Sequence, residues 1–344
     1  MCRLNGTPMI RGGVFCTMAE NLRSKAMRVL LLSVALAAVA IAVCPLIGGS
    51  GLDYGKLLRQ EAPDWNIFVQ LRLPRALLAL LSGGALAVAG TLFQALLRDA
   101  LATPESLGVS AAASLGAVIA ISTSFVLADS FHIIWLFALC SAGAVIAFVA
   151  VLARANKRFS SFTLLLTGIA INGVCAAAIL LLHSLAGITK SFQITHWLMG
   201  GVDAVEYSTL ALVTAVVAPV CFWILARART WNVLSYGDAW AAGRGVDTRK
   251  LSVQGFVAGA LLTGTLTAVT GPIAFVGLIV PHLLRRMVGS DHRVLLPAAL
   301  FGGGAFLVVC DTISRSVLAP IEIPVGVTTA LLGGPFFVWL LWKR

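Results

Sequence analysis

The chain consists of long uncharged stretches separated by short breaks that contain all of its Asp, Glu, Lys and Arg residues. Nine uncharged runs are candidate membrane spans: residues 29–52, 76–97, 106–128, 130–153, 159–189, 207–226, 251–284, 294–310 and 323–342. An α-helix rises about 1.5 Å per residue and the hydrocarbon core of a bilayer is about 30 Å thick, so roughly 20 residues cross it once. The run 251–284 is too long for one crossing, and Gly271 followed by Pro272 predicts a reversal inside it. The pattern therefore predicts an all-α, polytopic membrane protein of about ten transmembrane helices with no soluble domain.

Composition agrees with a bilayer as the main surroundings of the chain. Of its 344 residues, 59% are hydrophobic and 11% are charged, and the mean hydropathy is +0.96. Soluble domains carry about 25% charged residues. Membrane lipid is therefore the expected contact of most of the surface.

The basic residues predict the orientation of the chain. The net charge is +11, which in a soluble protein would suggest a nucleic-acid partner, but here the basic residues lie in the breaks between spans. If the N-terminus is inside, 19 of the 25 Lys and Arg residues fall in cytoplasmic segments. Positive charge is enriched in the cytoplasmic loops of membrane proteins. We therefore expect both termini to be cytoplasmic and no nucleic-acid partner.

Two further features predict the domain organisation. Residues 1–27 are expected to be a cytoplasmic N-terminal tail, either disordered or a start-site artefact, because Met18 and Met27 are alternative starts. Residues 28–344 are expected to form the ten-helix domain. Within it, segments 82–90 and 263–271 share Gly, Ala, Val and Gly in register. Membrane transporters are often built from internal repeats, so this similarity predicts two five-helix halves.

A search for catalytic or metal-binding patterns gives little. The chain has no HExxH, no nucleotide-binding GxxxxGK[ST] and no carboxylate pair within the predicted spans. Its seven cysteines lack metal-ligand spacing, so no metal site is expected. An intramembrane enzyme using Ser110 and an ion-coupled carrier remain as alternatives from other classes. The carrier needs ionisable groups inside the membrane, and the candidates singled out within the predicted spans are His183 and His282.

Several short segments, in this order, resemble the FecCD-type permease family. They are residues 71–75 (LRLPR), 90–94 (GTLFQ), 101–108 (LATPESLG), 271–282 (GPIAFVGLIVPH), 291–297 (DHRVLLP), 322–326 (EIPVG) and 333–337 (GGPFF). The resemblance covers roughly residues 29–344. The chain differs from the usual pattern at Asp99 and Ala100, where the family has Asn-Pro, and at Arg244, where it has Leu.

The resemblance implies the permease subunit of a binding-protein-dependent ABC importer in the bacterial cytoplasmic (inner) membrane. It implies three kinds of partner: a second permease subunit, expected as a homodimer, a cytoplasmic ABC ATPase dimer, and a periplasmic or lipid-anchored binding protein. The chain is then no enzyme and binds no cofactor of its own, because ATP and Mg belong to the ATPase. We predict an iron chelate, siderophore or haem, as solute, with cobalamin as the alternative within the family.

The resemblance also implies three sets of functional residues. Arg72, Arg75 and Arg315 are expected to dock the binding protein through its glutamates. A cytoplasmic gate is expected at Asp99, Leu101, Ser161 and Phe162, where apolar side chains would close a wide path. The ATPase is expected to couple through segment 232–250, in which a short helix bounded by glycines would present Trp240 and Ala241 to a groove. The coupling set is Gly237, Asp238, Trp240, Ala241, Arg244 and Gly245.

Overall fold

The computed structural model describes residues 11–48, 53–123, 130–155 and 161–342. Fifteen α-helices lie in these residues: α1 (Arg11–Val43), α2 (Tyr54–Leu58), α3 (Asp64–Ile67), α4 (Leu73–Leu97), α5 (Val109–Ser122), α6 (Ser130–Ala155), α7 (Ser161–Leu185), α8 (Ile188–Leu198), α9 (Tyr207–Ala226), α10 (Ala228–Ser235), α11 (Asp238–Ala242), α12 (Thr248–Thr270), α13 (Val276–Val288), α14 (His292–Ser316) and α15 (Val325–Trp342). A π-helical turn, Phe68–Arg72, joins α3 to α4.

Each of the ten predicted crossings corresponds to one helix, which confirms the predicted fold class. The ten are α1, α4, α5, α6, α7, α9, α12, α13, α14 and α15. Within the described residues, seven of them are long and apolar enough to span a membrane, and α5, α13 and α15 are shorter. The predicted reversal inside 251–284 is also found, because α12 ends at Thr270 and α13 begins at Val276.

The structure differs from the predictions made from the sequence at two places. Helix α1 begins at Arg11, so residues 11–27, for which disorder was one of the two expectations, are helical. That stretch is rich in Ala, Leu, Met, Lys and Arg and lacks Pro, so helix continues upstream of the apolar run. Residues 1–10 lie outside the described part. Helix α8 was not predicted; its polar residues interrupt the apolar run, and it buries only Ile194.

The contacts between helices support the predicted two halves. Counting crossings in order, α4 is the second and α12 the seventh, and these are the helices that carry the two similar segments. Helix α4 packs on α14, the ninth crossing, just as α12 packs on α6, the fourth. Likewise, α4 packs on α13, the eighth, and α12 on α5, the third. Equivalent members of the two halves therefore make equivalent contacts.

Helix α4 is the most enclosed of the long helices, whereas α6, α7 and α9 leave most of their surface exposed. Small residues permit this central position. A Cβ atom on Gly83 would overlap the carbonyl oxygen of Gly303 in α14, and one on Gly303 would overlap that of Gly83. The backbones of α4 and α14 therefore touch, as is common where small residues line helix contacts in membranes.

This contact predicts opposite effects of one substitution at two glycines. Gly83→Ala should destabilise the protein by about 1–3 kcal/mol, because the added methyl forces two backbones apart. Gly143→Ala, on exposed α6 with no atom within 4 Å of the new Cβ, should be neutral or stabilising by up to about 1 kcal/mol. Unfolding titrations with SDS in mixed micelles measure both. Equal stability of the two variants would contradict the backbone contact.

Candidate functional site

A buried carboxylate organises one end of the bundle, where α14 ends and α4 begins. Asp311 Oδ1 accepts hydrogen bonds from Nε and Nη2 of Arg75 at 3.1 and 3.0 Å, and Asp311 Oδ2 accepts one from Nε of Arg315 at 3.0 Å. Both carboxylate oxygens therefore have a cationic donor. A carboxylate in the apolar interior is tolerated only when its charge is paired in this way.

The remaining arginine of the predicted docking set lies beside this cluster. Arg72 occupies the π-helical turn before α4, and its Nη1 donates to the carbonyl oxygens of Pro45 and Leu46, each at 3.3 Å. The side chain is buried. Arg315 Nη1 donates to the carbonyl of Ile47 at 3.2 Å, so both arginines hold the segment that follows α1.

The structure brings all three predicted docking arginines together around a cavity of about 390 Å³. Glu322 also lines this cavity, and its Oε2 accepts a hydrogen bond from Arg75 Nη1 at 2.8 Å. The sequence did not reveal Asp311 or Glu322 as members of the cluster. Asp311 and Arg315 are four residues apart, a spacing that pairs opposite charges on a helix and was the available signal.

The predicted gate residues lie at the other end of the bundle, after α4 and at the start of α7. Asp99 Oδ1 accepts a hydrogen bond from the backbone N–H of Leu101 at 2.9 Å, which shapes the turn. The side chain of Leu101 is 54% exposed and that of Phe162 is 72% exposed. Ser161 is the first residue of α7. The turn Pro104–Leu107 packs on α7, where Asn172 Nδ2 donates to the Glu105 carbonyl at 3.0 Å, so the segment after α4 contacts the helix that Ser161 begins.

The predicted short helix of the coupling segment is confirmed as α11. It lies between Gly237 and Gly245, whose φ angles are +123° and +78°. Both values belong to the left-handed half of the φ range, which glycine adopts without strain. Asp238 pairs with Arg98 beyond the end of α4, so α11 is tied to the central helix.

The surface of α11 differs from the prediction at Ala241. Its side chain is fully buried within the chain, so the expectation that Ala241 faces a partner is wrong. Trp240 is 53% exposed, and the Arg244 guanidinium stacks over its ring at 4.6 Å from Cζ to the centroid. Tyr236, which the sequence did not single out, is 79% exposed beside them. A cation over an aromatic face is attracted to the ring, weakly at an exposed site.

Hydrogen bonds attach the helix before α11 to the rest of this end. Asn232 of α10 donates from Nδ2 to Asp291 Oδ1 at 2.7 Å and accepts at Oδ1 from the backbone N–H of His292 at 2.8 Å. Partial burial acts to raise the pKa of Asp291, but the Asn232 and Arg293 hydrogen bonds outweigh it and hold that pKa below its usual value. Asp291 is therefore a charged anchor at neutral pH.

A polar cavity of about 620 Å³ lies between α10 and the end of α4. Across it, Arg285 of α13 donates from Nη2 to Gln94 Oε1 at 2.6 Å. Gln94 and Arg98 come from α4, and Asn232 comes from α10. This hydrogen bond joins the central helix to α13. No group of three or more His, Cys, Asp or Glu placed to hold a metal occurs in the described residues.

Comparisons with known proteins identify the family of the chain. The profile of the FecCD transport family matches residues 36–343. The chain is 39% identical over 304 residues to the hemin transport system permease protein HmuU of Yersinia pestis, covering 87% of this chain and 90% of that protein. It is 37% identical over 284 residues to the vitamin B12 import system permease protein BtuC of Escherichia coli O127:H6, covering 82% and 86%.

A solved structure has the same architecture. It is an inward-facing conformation of a metal-chelate type ABC transporter, with a TM-score of 0.79 and 29% identity, covering 93% of this chain and all of that one. The family profile covers nearly the whole chain, from within α1 to the end of α15. The chain belongs to the FecCD transport family.

Proposed function

We propose that this chain is the permease subunit of an ABC importer that moves an iron chelate, a siderophore complex or haem, into the bacterial cytoplasm. The observation that carries the proposal is the match of the FecCD transport family over residues 36–343. The similarity to a hemin permease favours an iron-containing solute. The similarity to a vitamin B12 permease makes cobalamin the second candidate.

The distribution of charge supports an importer driven from outside the chain. Among the long helices that the structure describes, Asp311 is the one buried Asp or Glu. Arg75 and Arg315 neutralise its charge. An ion-coupled carrier needs an ionisable group that exchanges its ion during transport. In an importer, the solute would pass between two copies of the chain, and ATP bound with Mg on a separate ATPase dimer would supply the energy. Such transport needs no ion-exchanging group in the membrane. Both termini would then lie in the cytoplasm of a bacterial inner-membrane protein.

The two ends of the bundle have separate proposed roles. The arginine cavity would receive glutamates of a periplasmic or lipid-anchored binding protein. The opposite end would hold the gate, where exposed Leu101 and Phe162 meet their counterparts in a second copy and exclude water. The coupling surface would be Tyr236, Trp240 and Arg244, with Ala241 supporting it from inside.

Uptake assays test the function as a whole. Cells that lack their own chelate permeases would express this chain with its ATPase and binding protein, and receive a radiolabelled ferric siderophore, haem or cobalamin. We expect accumulation of an iron chelate that stops when the ATPase cannot hydrolyse ATP. Accumulation of cobalamin alone would transfer the assignment to the second candidate. Uptake by the purified single chain without ATP would contradict an importer.

Replacement of Arg72 tests docking at the outer cavity. Arg72→Glu with Arg315→Glu should abolish docking, but Arg315 also neutralises buried Asp311, so misfolding would give the same result. Arg72→Gln leaves Arg315 and its ion pair with Asp311 in place. It should weaken binding-protein affinity at least about 30-fold, the effect of losing one partner of a buried charge pair.

The matched control is Arg59→Gln, which removes the same charge from an exposed position at the same end. It should leave affinity unchanged at physiological salt, because long-range attraction there is screened. Affinities are measured by pull-down and titration in nanodiscs. Equal affinities of the two variants would remove Arg72 from the docking site.

Truncation of the two exposed aromatic side chains tests the coupling surface. Tyr236→Ala with Trp240→Ala should weaken ATPase association at least about 30-fold, because buried aromatic anchors dominate protein interfaces. Binding-protein-stimulated ATPase activity and solute uptake of the reconstituted complex should fall together. The control is Asp247→Asn, which keeps an N-cap acceptor for the Lys250 N–H of α12.

The substitution Ala241→Arg does not test the coupling surface. A buried arginine would disrupt α11 itself, so its effect on coupling cannot be separated from misfolding. The aromatic variant changes only exposed side chains. If it retains normal association and uptake, the coupling surface lies elsewhere at this end, for example around Arg285 to Arg293.

A further inference from the structure

An apolar groove runs between α1, α13 and α14 on the outside of the bundle. It has a volume of about 400 Å³ and is lined by side chains from residues 29–36, 280–287 and 302–309. Its one hydroxyl group, Ser33 Oγ, already donates to the carbonyl of Val29 at 2.9 Å. Every other lining residue is apolar or glycine. The groove therefore suits a hydrocarbon occupant.

The three helices meet at Gly302, whose missing side chain leaves the groove open. A Cβ atom there would lie 3.5 Å from Leu284 Cδ1, 3.7 Å from Val280 Cγ1 and 3.8 Å from Ser33 Oγ. These are ordinary van der Waals distances, so the Cβ atom itself would fit. The rest of a larger side chain at this position would extend into the groove. Each eight-residue lining stretch is about 10 Å long, which gives the groove a length suited to part of an acyl chain.

One end of the groove is basic. As the first and eighth crossings, α1 and α13 run in opposite directions, so Val29 and Met287 lie at the same end. Their sequence neighbours Arg28 and Arg286 are both exposed. Within the part of the chain that the structure describes, neither arginine forms an ion pair with a carboxylate. In the proposed orientation this end lies in the cytoplasmic leaflet, where anionic lipid headgroups are found.

We propose that this groove binds an acyl chain of an anionic phospholipid, whose headgroup phosphate is held by Arg28 and Arg286. The apolar lining takes the hydrocarbon and the two guanidinium groups take the charge. A guanidinium matches phosphate oxygens with two parallel hydrogen bonds. The site is separate from the docking cavity, the gate and the coupling surface, so it holds whichever solute is carried.

Native mass spectrometry of the full chain tests the headgroup site. Phosphatidylglycerol and phosphatidylcholine with identical acyl chains serve as probes. The wild type should retain phosphatidylglycerol preferentially. Arg28→Gln with Arg286→Gln should reduce that preference roughly 25-fold, about fivefold for each arginine near the headgroup. The control Arg229→Gln removes an exposed charge from α10 and should leave the preference unchanged.

Filling the groove tests the acyl-chain site. Gly302→Leu should lower retention of both lipids at least about tenfold, because its side chain displaces several methylene groups. Gly143→Leu adds the same side chain to open surface on α6 and should have no effect. Equal retention of both lipids by the wild type would overturn the proposal. A changed monomer–dimer distribution in Gly302→Leu without lipid loss would assign the groove to a second copy and also overturn it. If Gly302→Leu does not fold, the arginine variant decides alone, since both positions are exposed.

Discussion

The direct contact between the backbones of α4 and α14 is the constraint on which the rest of the structure depends. Because Gly83 and Gly303 carry no side chain, α4 can occupy the centre of the bundle and touch α9, α12, α13 and α14. Helix α4 has 25 residues and is therefore about 37 Å long. It carries Arg75 near one end, and Arg98 follows its other end. The arginine cavity and segment 232–250 are thus attached to the same packed helix.

Hydrophobicity along the sequence predicts the helices well because the thickness of the membrane sets the length of each crossing, whatever its tertiary contacts. Ten spans, the reversal after Gly271 and the short helix between two glycines all follow from local signals. The predictions failed where tertiary contacts decide. Ala241 faces inward because α11 packs on α12, and no local pattern distinguishes that side from the side of Trp240. Helix α8 is a polar interruption that no span count reveals.

In the candidate site, too, the sequence predicts individual residues but not their distant partners. The arginines of the outer cavity were identified by resemblance to a family, but their partners were not. Asp311 directly follows an apolar run that ends at Cys310, so the charge pattern places it in a polar segment between spans. Its partner Arg75 is 236 residues away, a separation that only the packing of α4 on α14 bridges. A substitution in such an ion cluster therefore tests folding as well as the proposed docking.

Glu322 gives the outer cavity a carboxylate of its own, already bonded to Arg75. In the proposed docking, an incoming glutamate replaces Glu322 at Arg75 instead of dehydrating an unpaired guanidinium. Since one charge pair is exchanged for another, much of the attraction cancels. Such an exchange favours rapid dissociation over tight retention. For the proposed importer, rapid dissociation would free the permease for the next binding protein.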